Sequence, residues 1–159
     1  MKIYTIGVYN STEQEFFEKL VASQIDTFCD IRQRRGVRGS KYAFANSLRL
    51  QKKLAELKIK YLYEPGLAPT SEIRSLQKEV DLKLGEQKKD RQHLGSVFVQ
   101  EFNNRILSNF NFTRFNSALI AEGADKVVFF CVEELPGACH RSLVANKIKS
   151  EFMYDVKHL

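Results

Sequence analysis

The chain has 159 residues, of which 43% are hydrophobic and 28% charged, and its net charge is +6. That length suits one domain with its own core, and that composition excludes a disordered chain. Three cysteines, an odd number at irregular spacing, exclude a disulfide scaffold, and no apolar run approaches the ~20 residues that span a bilayer. A cytoplasmic protein with reduced thiols and no membrane partner is expected.

In chain order, Lys2 to Ile6 is β-branched and aromatic and reads as a first strand; its apolar part is too short for a signal peptide. Thr12 and Glu15 form a capping-box pattern ahead of Phe16, Phe17, Leu20 and Val21, which predicts an amphipathic helix over about residues 12–23. Residues 25–31 read as a second strand, followed by a glycine-containing basic loop. Leu48, Leu50, Leu54 and Leu57 predict a helix over 44–57, and residues 59–63 a third strand ended by Pro65-Gly66. Thr70 or Ser71 can cap a helix carrying Ile73, Leu76 and Val80. A helical, charged segment over about 66–96 follows, whose loosely patterned part at 85–95 is the candidate mobile stretch. Ser96 can cap a helix with Phe98, Phe102 and Ile106 on one face, and Phe112, Phe115 and Leu119 predict another, stopped at Gly123. A strongly apolar strand at 127–132, a Pro136-Gly137 turn, a helix from 139 and a short strand at 153–157 complete the chain.

Strand and helix alternate with no internal repeat and no linker rich in proline, glycine or serine. The pattern predicts a single α/β domain over residues 1–159. Its three layers would be a mostly parallel, doubly wound-like sheet with helices on both faces. Ligands of such sheets bind beyond the carboxyl ends of the strands. The segments leaving those ends, Gly7 to Asn10, Asp30 to Arg32 and Cys131 to Arg141, should meet at one rim.

Two motifs at that rim carry chemistry. Cys139-His140-Arg141 opens a helix behind a buried strand, where backbone N–H groups and the helix dipole favour anions and thiolates. Cys139 would be a nucleophile, His140 its acid or base, and Glu133 the group that orients His140 or Arg141. Cys131, alone, reads more simply as a small buried hydrophobe. The second motif is Asp30-Ile31-Arg32 with Arg34, Arg35, Arg38 and Lys41, five cations within residues 32–41. Guanidinium groups there can clamp a phosphate, with Arg32, Arg35, Arg38 and Arg141 as the anion-binding set and Asp30 orienting them. Neither a Walker loop nor a GxGxxG fingerprint is present. No resident cofactor is expected; zinc on Cys131, Cys139 and His140, with Cys29 as a further donor, is the minor alternative, since the spacing matches no paired zinc pattern.

The basic charge is local. Residues 30–60 hold ten Lys/Arg against Asp30 and Glu56, whereas the remainder carries slightly more acid than base. Tyr42, Phe44, Tyr61 and Tyr63 lie among these cations and could stack on bases, although core packing is the usual task of such rings.

With these residues placed, the chain resembles the domain-of-unknown-function 488 family over nearly its whole length. The resemblance rests on Thr5-Ile6-Gly7, on Asp30-Ile31-Arg32, on Cys131-x-Glu133 followed by Cys139-His140-Arg141, and on the closing Val156 to Leu159. The stretch from Asp30 to Gly39 is similar to one branch of that family. It implies an α/β fold with a shared rim site and supplies no reaction. Many members carry His-Ser after the glycine of the first strand, where this chain has Val8-Tyr9, so no histidine role is carried over there. The expected function is therefore a small enzyme, a cysteine-dependent hydrolase or transferase, acting on an anionic small molecule or nucleotide. The alternative is a non-catalytic nucleic-acid-binding or regulatory module using residues 30–60.

Overall fold

Five strands form one parallel sheet among the residues that the computed structural model describes, which are all except Arg38, Glu86, Lys88 and Lys89. They are β1 (Lys2–Ile6), β2 (Thr27–Asp30), β3 (Lys60–Tyr63), β4 (Lys126–Phe130) and β5 (Val156–His158), in the spatial order β3-β2-β4-β1-β5. β4 is the centre: Val127 stands between Thr27 of β2 and Ile3 of β1, and Phe130 between Asp30 and Ile6. Burial on both faces explains its unbroken apolar run, Val127 to Phe130, in place of an alternating one.

Period two still sorts the side chains between the layers. Ile6, Phe28, Val128 and Phe130 pack against Phe16 and Leu20 of α1 (Glu13–Ala22) and Leu50 and Leu54 of α2 (Ser47–Glu56). Ile3, Cys29, Val127 and Phe129 face the opposite layer. That layer holds α3 (Ser71–Leu84), α4 (Ser96–Phe102), α5 (Phe112–Ala121) and α6 (His140–Phe152). The doubly wound expectation is met, with helices on both faces. No helix among the described residues is long and apolar enough to cross a membrane.

Several boundaries move for local reasons. Thr12 caps α1 through the full capping box, with its side chain accepting from Glu15 N. A 3₁₀ turn over Ser40–Ala45 takes the first residues expected in the second helix, and Leu48 of that expected apolar stripe is exposed while Leu50 and Leu54 are buried. Ser96 is not a cap: Gly95 occupies the capping position. In α3 the buried face is Ile73, Gln77 and Asp81, with Leu76 and Val80 only half-buried. The last strand starts at Val156, three residues later than expected, because Met153 takes a left-handed φ of 58° to end α6.

Candidate functional site

All strands run the same way, so the exits of β1, β2 and β4 lie side by side at one rim. The exits are stitched together by backbone hydrogen bonds. Val8 N and Tyr9 N donate to Val132 O at 3.1 and 3.0 Å, and Cys131 N donates to Ile6 O at 3.3 Å. Gly7 makes this approach possible: a Cβ built there would lie 1.9 Å from Glu133 O. The chain then passes through the Pro136–Ala138 turn and enters α6 with Cys139 at the capping position, φ −140° and ψ 142°.

This turn folds a thiol pair onto an imidazole. His140 Nδ1 lies 3.8 Å from Cys131 Sγ and 3.8 Å from Cys139 Sγ. Its other nitrogen, Nε2, lies 3.2 Å from Ile31 O, at the exit of β2, and Phe102 packs against the ring at 5.5 Å. The thiol proton of Cys131 reaches the Glu133 carboxylate at 3.3 Å. Burial alone would push the Cys139 thiol up. The polar contact with Cys131, the His140 charge and the nearby Arg141 charge outweigh it and hold the thiol well below its ordinary value. Burial likewise presses His140 down, but the Cys139 charge, with Glu133 behind it, raises it above its ordinary value. Both shifts favour the charged forms, a thiolate at Cys139 and an imidazolium at His140, each as the other's partner.

Cys131 Sγ, Cys139 Sγ and a nitrogen of His140 all lie within 4.8 Å of one another, a soft donor set of the kind zinc prefers. No fourth side-chain donor joins them among the described residues, whereas structural zinc sites have four.

The other expected residues divide by depth. Asp30 is sealed; it accepts from Arg32 Nε at 2.8 Å and Nη2 at 2.7 Å, and from Tyr61 Oη at 2.9 Å. Arg32 itself lies 4.4 Å above the Phe130 ring, and its buried Nη1 has no hydrogen-bond partner. Arg141 is buried beneath the site. It donates to Glu133 O at 2.5 Å and Glu134 O at 2.6 Å, so its fork holds the loop in place and Glu133 orients it by backbone, not by carboxylate. Arg35 is exposed and lies 4.3 Å over the Tyr63 ring. Arg38 lies outside the described residues.

A cleft of about 750 Å³ opens over this rim, with Cys131, Cys139 and His140 on its wall. Among the described residues five arginines and lysines line it: Arg32 and Arg34 from the β2 loop, Arg74 and Lys78 from α3, and Arg91. Burial and the neighbouring Arg34 charge both lower Arg74 from its ordinary value. Arg91 is not among the residues expected from sequence. It is buried, 3.4 Å from Asp81 and 4.0 Å from Glu133, and so links α3 to the loop after β4. The signal available for it is Gln77 and Asp81, polar residues one turn apart on the buried face of α3. Tyr9 also lines the cleft, at the position after Val8 where serine follows histidine in many of the chains it resembles.

The basic segment is partly neutralised by the fold. Arg49 pairs with Glu13 at 3.1 Å, Lys53 with Glu56 at 3.2 Å and Lys60 with Glu122 at 2.6 Å. Phe44 is core, Tyr61 serves Asp30, and Tyr42 packs on Tyr9 at 5.3 Å between ring centroids.

Fold and site define a parallel α/β protein with a buried Cys139–His140 pair at its β4-to-α6 crossover, set in the wall of a guanidinium-lined cleft. The chain belongs to the family described as Domain of unknown function DUF488, whose model matches residues 12–148. No curated protein and no solved structure matches it.

Proposed function

We propose that this protein is a cysteine-dependent hydrolase or transferase for an anionic, phosphorylated or nucleotide-like ligand bound in the cleft. The observation that carries this reading is a single juxtaposition: Cys139, its sulfur 3.8 Å from the His140 imidazole, shares one cleft wall with Arg32, whose buried Nη1 has no hydrogen-bond partner among the described residues. A buried guanidinium with a spare donor is suited to an anionic oxygen that enters from the cleft. Arg34, Arg74 and Lys78 supply further positive charge at the mouth.

In this reading the Cys139 sulfur forms a bond to the electrophilic atom of the ligand. The leaving group takes the proton from the His140 imidazolium. Water or an acceptor hydroxyl, deprotonated by the now neutral His140, then displaces the sulfur. Asp30, sealed beneath Arg32, is a positioning residue. Glu133 and Arg141 hold the loop that presents the cysteines.

The test is the alkylation rate of Cys139 by iodoacetamide as a function of pH, with and without inorganic pyrophosphate. The rate should level off well below pH ~8.5, the ordinary thiol pKa, and pyrophosphate should slow it. A rate that climbs through pH ~8.5 with no pyrophosphate effect would refute the reading.

A further inference from the structure

We propose that Cys131 is a resolving thiol for Cys139, so that oxidation by a hydroperoxide converts the site to a Cys131–Cys139 disulfide. This rests on the reading of Cys139 as a reactive thiolate. It adds a role for Cys131, which the proposed transfer chemistry leaves idle.

Three features carry it. Both sulfurs lie on the cleft wall, within 4.8 Å of each other, and share one imidazole at 3.8 Å. Cys139 makes no side-chain capping bond, so its rotation toward Cys131 sacrifices no helix cap. A bonded pair needs the sulfurs at about 2.0 Å, a closure of less than 3 Å from their present reach. Finally, Cys131 already presents its proton to the Glu133 carboxylate at 3.3 Å, which places a base beside the second thiol. Cys29, the remaining cysteine, is sealed in the opposite layer of the core and is pushed well up by burial, first, and by the Glu64 and Asp30 charges.

The chemistry balances in two steps. The Cys139 thiolate attacks the terminal oxygen of the hydroperoxide, the O–O bond breaks, and a sulfenic acid forms. The departing alkoxide, or hydroxide from hydrogen peroxide, takes the His140 proton. Cys131 then loses its proton through Glu133 to the leaving hydroxyl and attacks the Cys139 sulfur. The S–S bond forms and water departs. The two sulfurs together lose the two electrons that the peroxide gains.

The experiment treats reduced full-length protein with hydrogen peroxide, blocks remaining thiols, and maps peptides without reduction. The wild type should lose the mass of two hydrogens, yield a Cys131–Cys139 cross-link reversed by dithiothreitol, and leave Cys29 unmodified. Cys131→Ser, with Cys131→Ala as a second variant, should instead accumulate a Cys139 sulfenic acid captured by dimedone. Wild-type Cys139 that is oxidised without a cross-link, and captured as readily as in the variants, overturns this proposal while the pyrophosphate-sensitive alkylation still upholds the transfer reading. Cys139 inert to both peroxide and iodoacetamide overturns both. Zinc retained on freshly purified protein, with cross-linking only after chelation, makes the trio a metal site and overturns the disulfide role.

Discussion

Gly7→Ala should damage this protein more than a single methyl group usually does. The added Cβ would lie 1.9 Å from Glu133 O and 2.8 Å from its carbonyl carbon. Ordinary contact starts near 3.4 Å, so the two backbones must separate by about 1.5 Å. Neither side is a flexible side chain. The β1 exit is fixed by the three backbone bonds to Val132 and from Cys131, and Glu133 O is gripped from behind by Arg141 at 2.5 Å. Overpacking costs about 1–3 kcal/mol and each lost hydrogen bond about 1 kcal/mol, giving roughly 3–5 kcal/mol here. With a urea dependence of about 2 kcal/mol per molar, the unfolding midpoint should fall by roughly 2 M. Because Glu133 and Cys131 move with the loop, Cys139 alkylation at neutral pH should slow in the protein that remains folded. Gly123→Ala is the control. Gly123 has φ +73° and nothing within 4 Å of an added methyl, so only about 1 kcal/mol of backbone strain is expected. A Gly7→Ala loss no greater than that of Gly123→Ala would refute the close-approach argument and the rigidity assigned to the loop.

Cys139→Ser removes the strongest influence raising His140 and leaves only Glu133 and the Ile31 carbonyl against burial, so its imidazole resonances should titrate at lower pH by NMR; an unchanged midpoint would refute the ion pair. The signs for stability follow. The raised His140 stabilises the fold below its ordinary value, and this is lost as pH rises through its folded value; the depressed Cys139 stabilises above its ordinary value, and this is lost as pH falls through its folded one. Asp30→Asn leaves the Arg32 guanidinium buried and unpaired, a loss of about 3–5 kcal/mol by urea unfolding. It should also lower the Tyr61 phenol, now pushed up to about 12 by burial and by the Asp30 charge, in an ultraviolet titration; a phenol that stays near 12 would show burial acting alone. In the wild type, the contribution of Tyr61 is present below pH ~10 and is lost as pH rises toward about 12. Arg91→Ala leaves the buried Asp81 carboxylate without its cation, a loss of about 3–5 kcal/mol by urea unfolding; an unchanged midpoint would show that the pair does not anchor Arg91 to α3.

The parts of the fold that are legible in the sequence are those where local chemistry and tertiary packing agree. The Thr12–Glu15 box predicts α1 because both of its bonds form within one turn. β4 is legible because a strand buried on both faces has no reason to alternate. The rim is predictable from direction alone: in a parallel sheet every carboxyl end points one way, so Asp30, Arg32, Cys131 and Cys139 have to converge. What stays hidden depends on partners far away in sequence. The pairing of Cys131 with Cys139 depends on the Pro136–Ala138 turn bringing the chain back, and residue spacing does not encode that return. Arg141 reads as a ligand-binding cation because its neighbours are reactive. Burial gives it carbonyls at residues 133 and 134 to hold with Nη1 and Nη2, while its buried Nε has no hydrogen-bond partner among the described residues.

α3 shows the same limit from the other side. Its apolar residues alone suggest a face through Ile73, Leu76 and Val80, yet the buried stripe is Ile73, Gln77 and Asp81. Gln77 donates to Asp81 at 2.7 Å and accepts from Gly95 N at 2.7 Å, and Asp81 meets Arg91. Such polar burial is costly unless every group is satisfied, and here satisfaction comes from the segment that follows the helix. The same helix sends Arg74 and Lys78 into the cleft. One element therefore carries both the partners of Arg91 and Gly95 and two of the cleft's cations. A ligand that neutralises Arg74 beside Arg34 would relieve the repulsion between them, and with it tighten the wall to which Arg91 and Glu133 are tied. Binding of pyrophosphate should accordingly slow hydrogen exchange of the Gly95 amide, which donates to Gln77, and exchange unchanged at saturating pyrophosphate would separate the cleft's charge from the packing of α3.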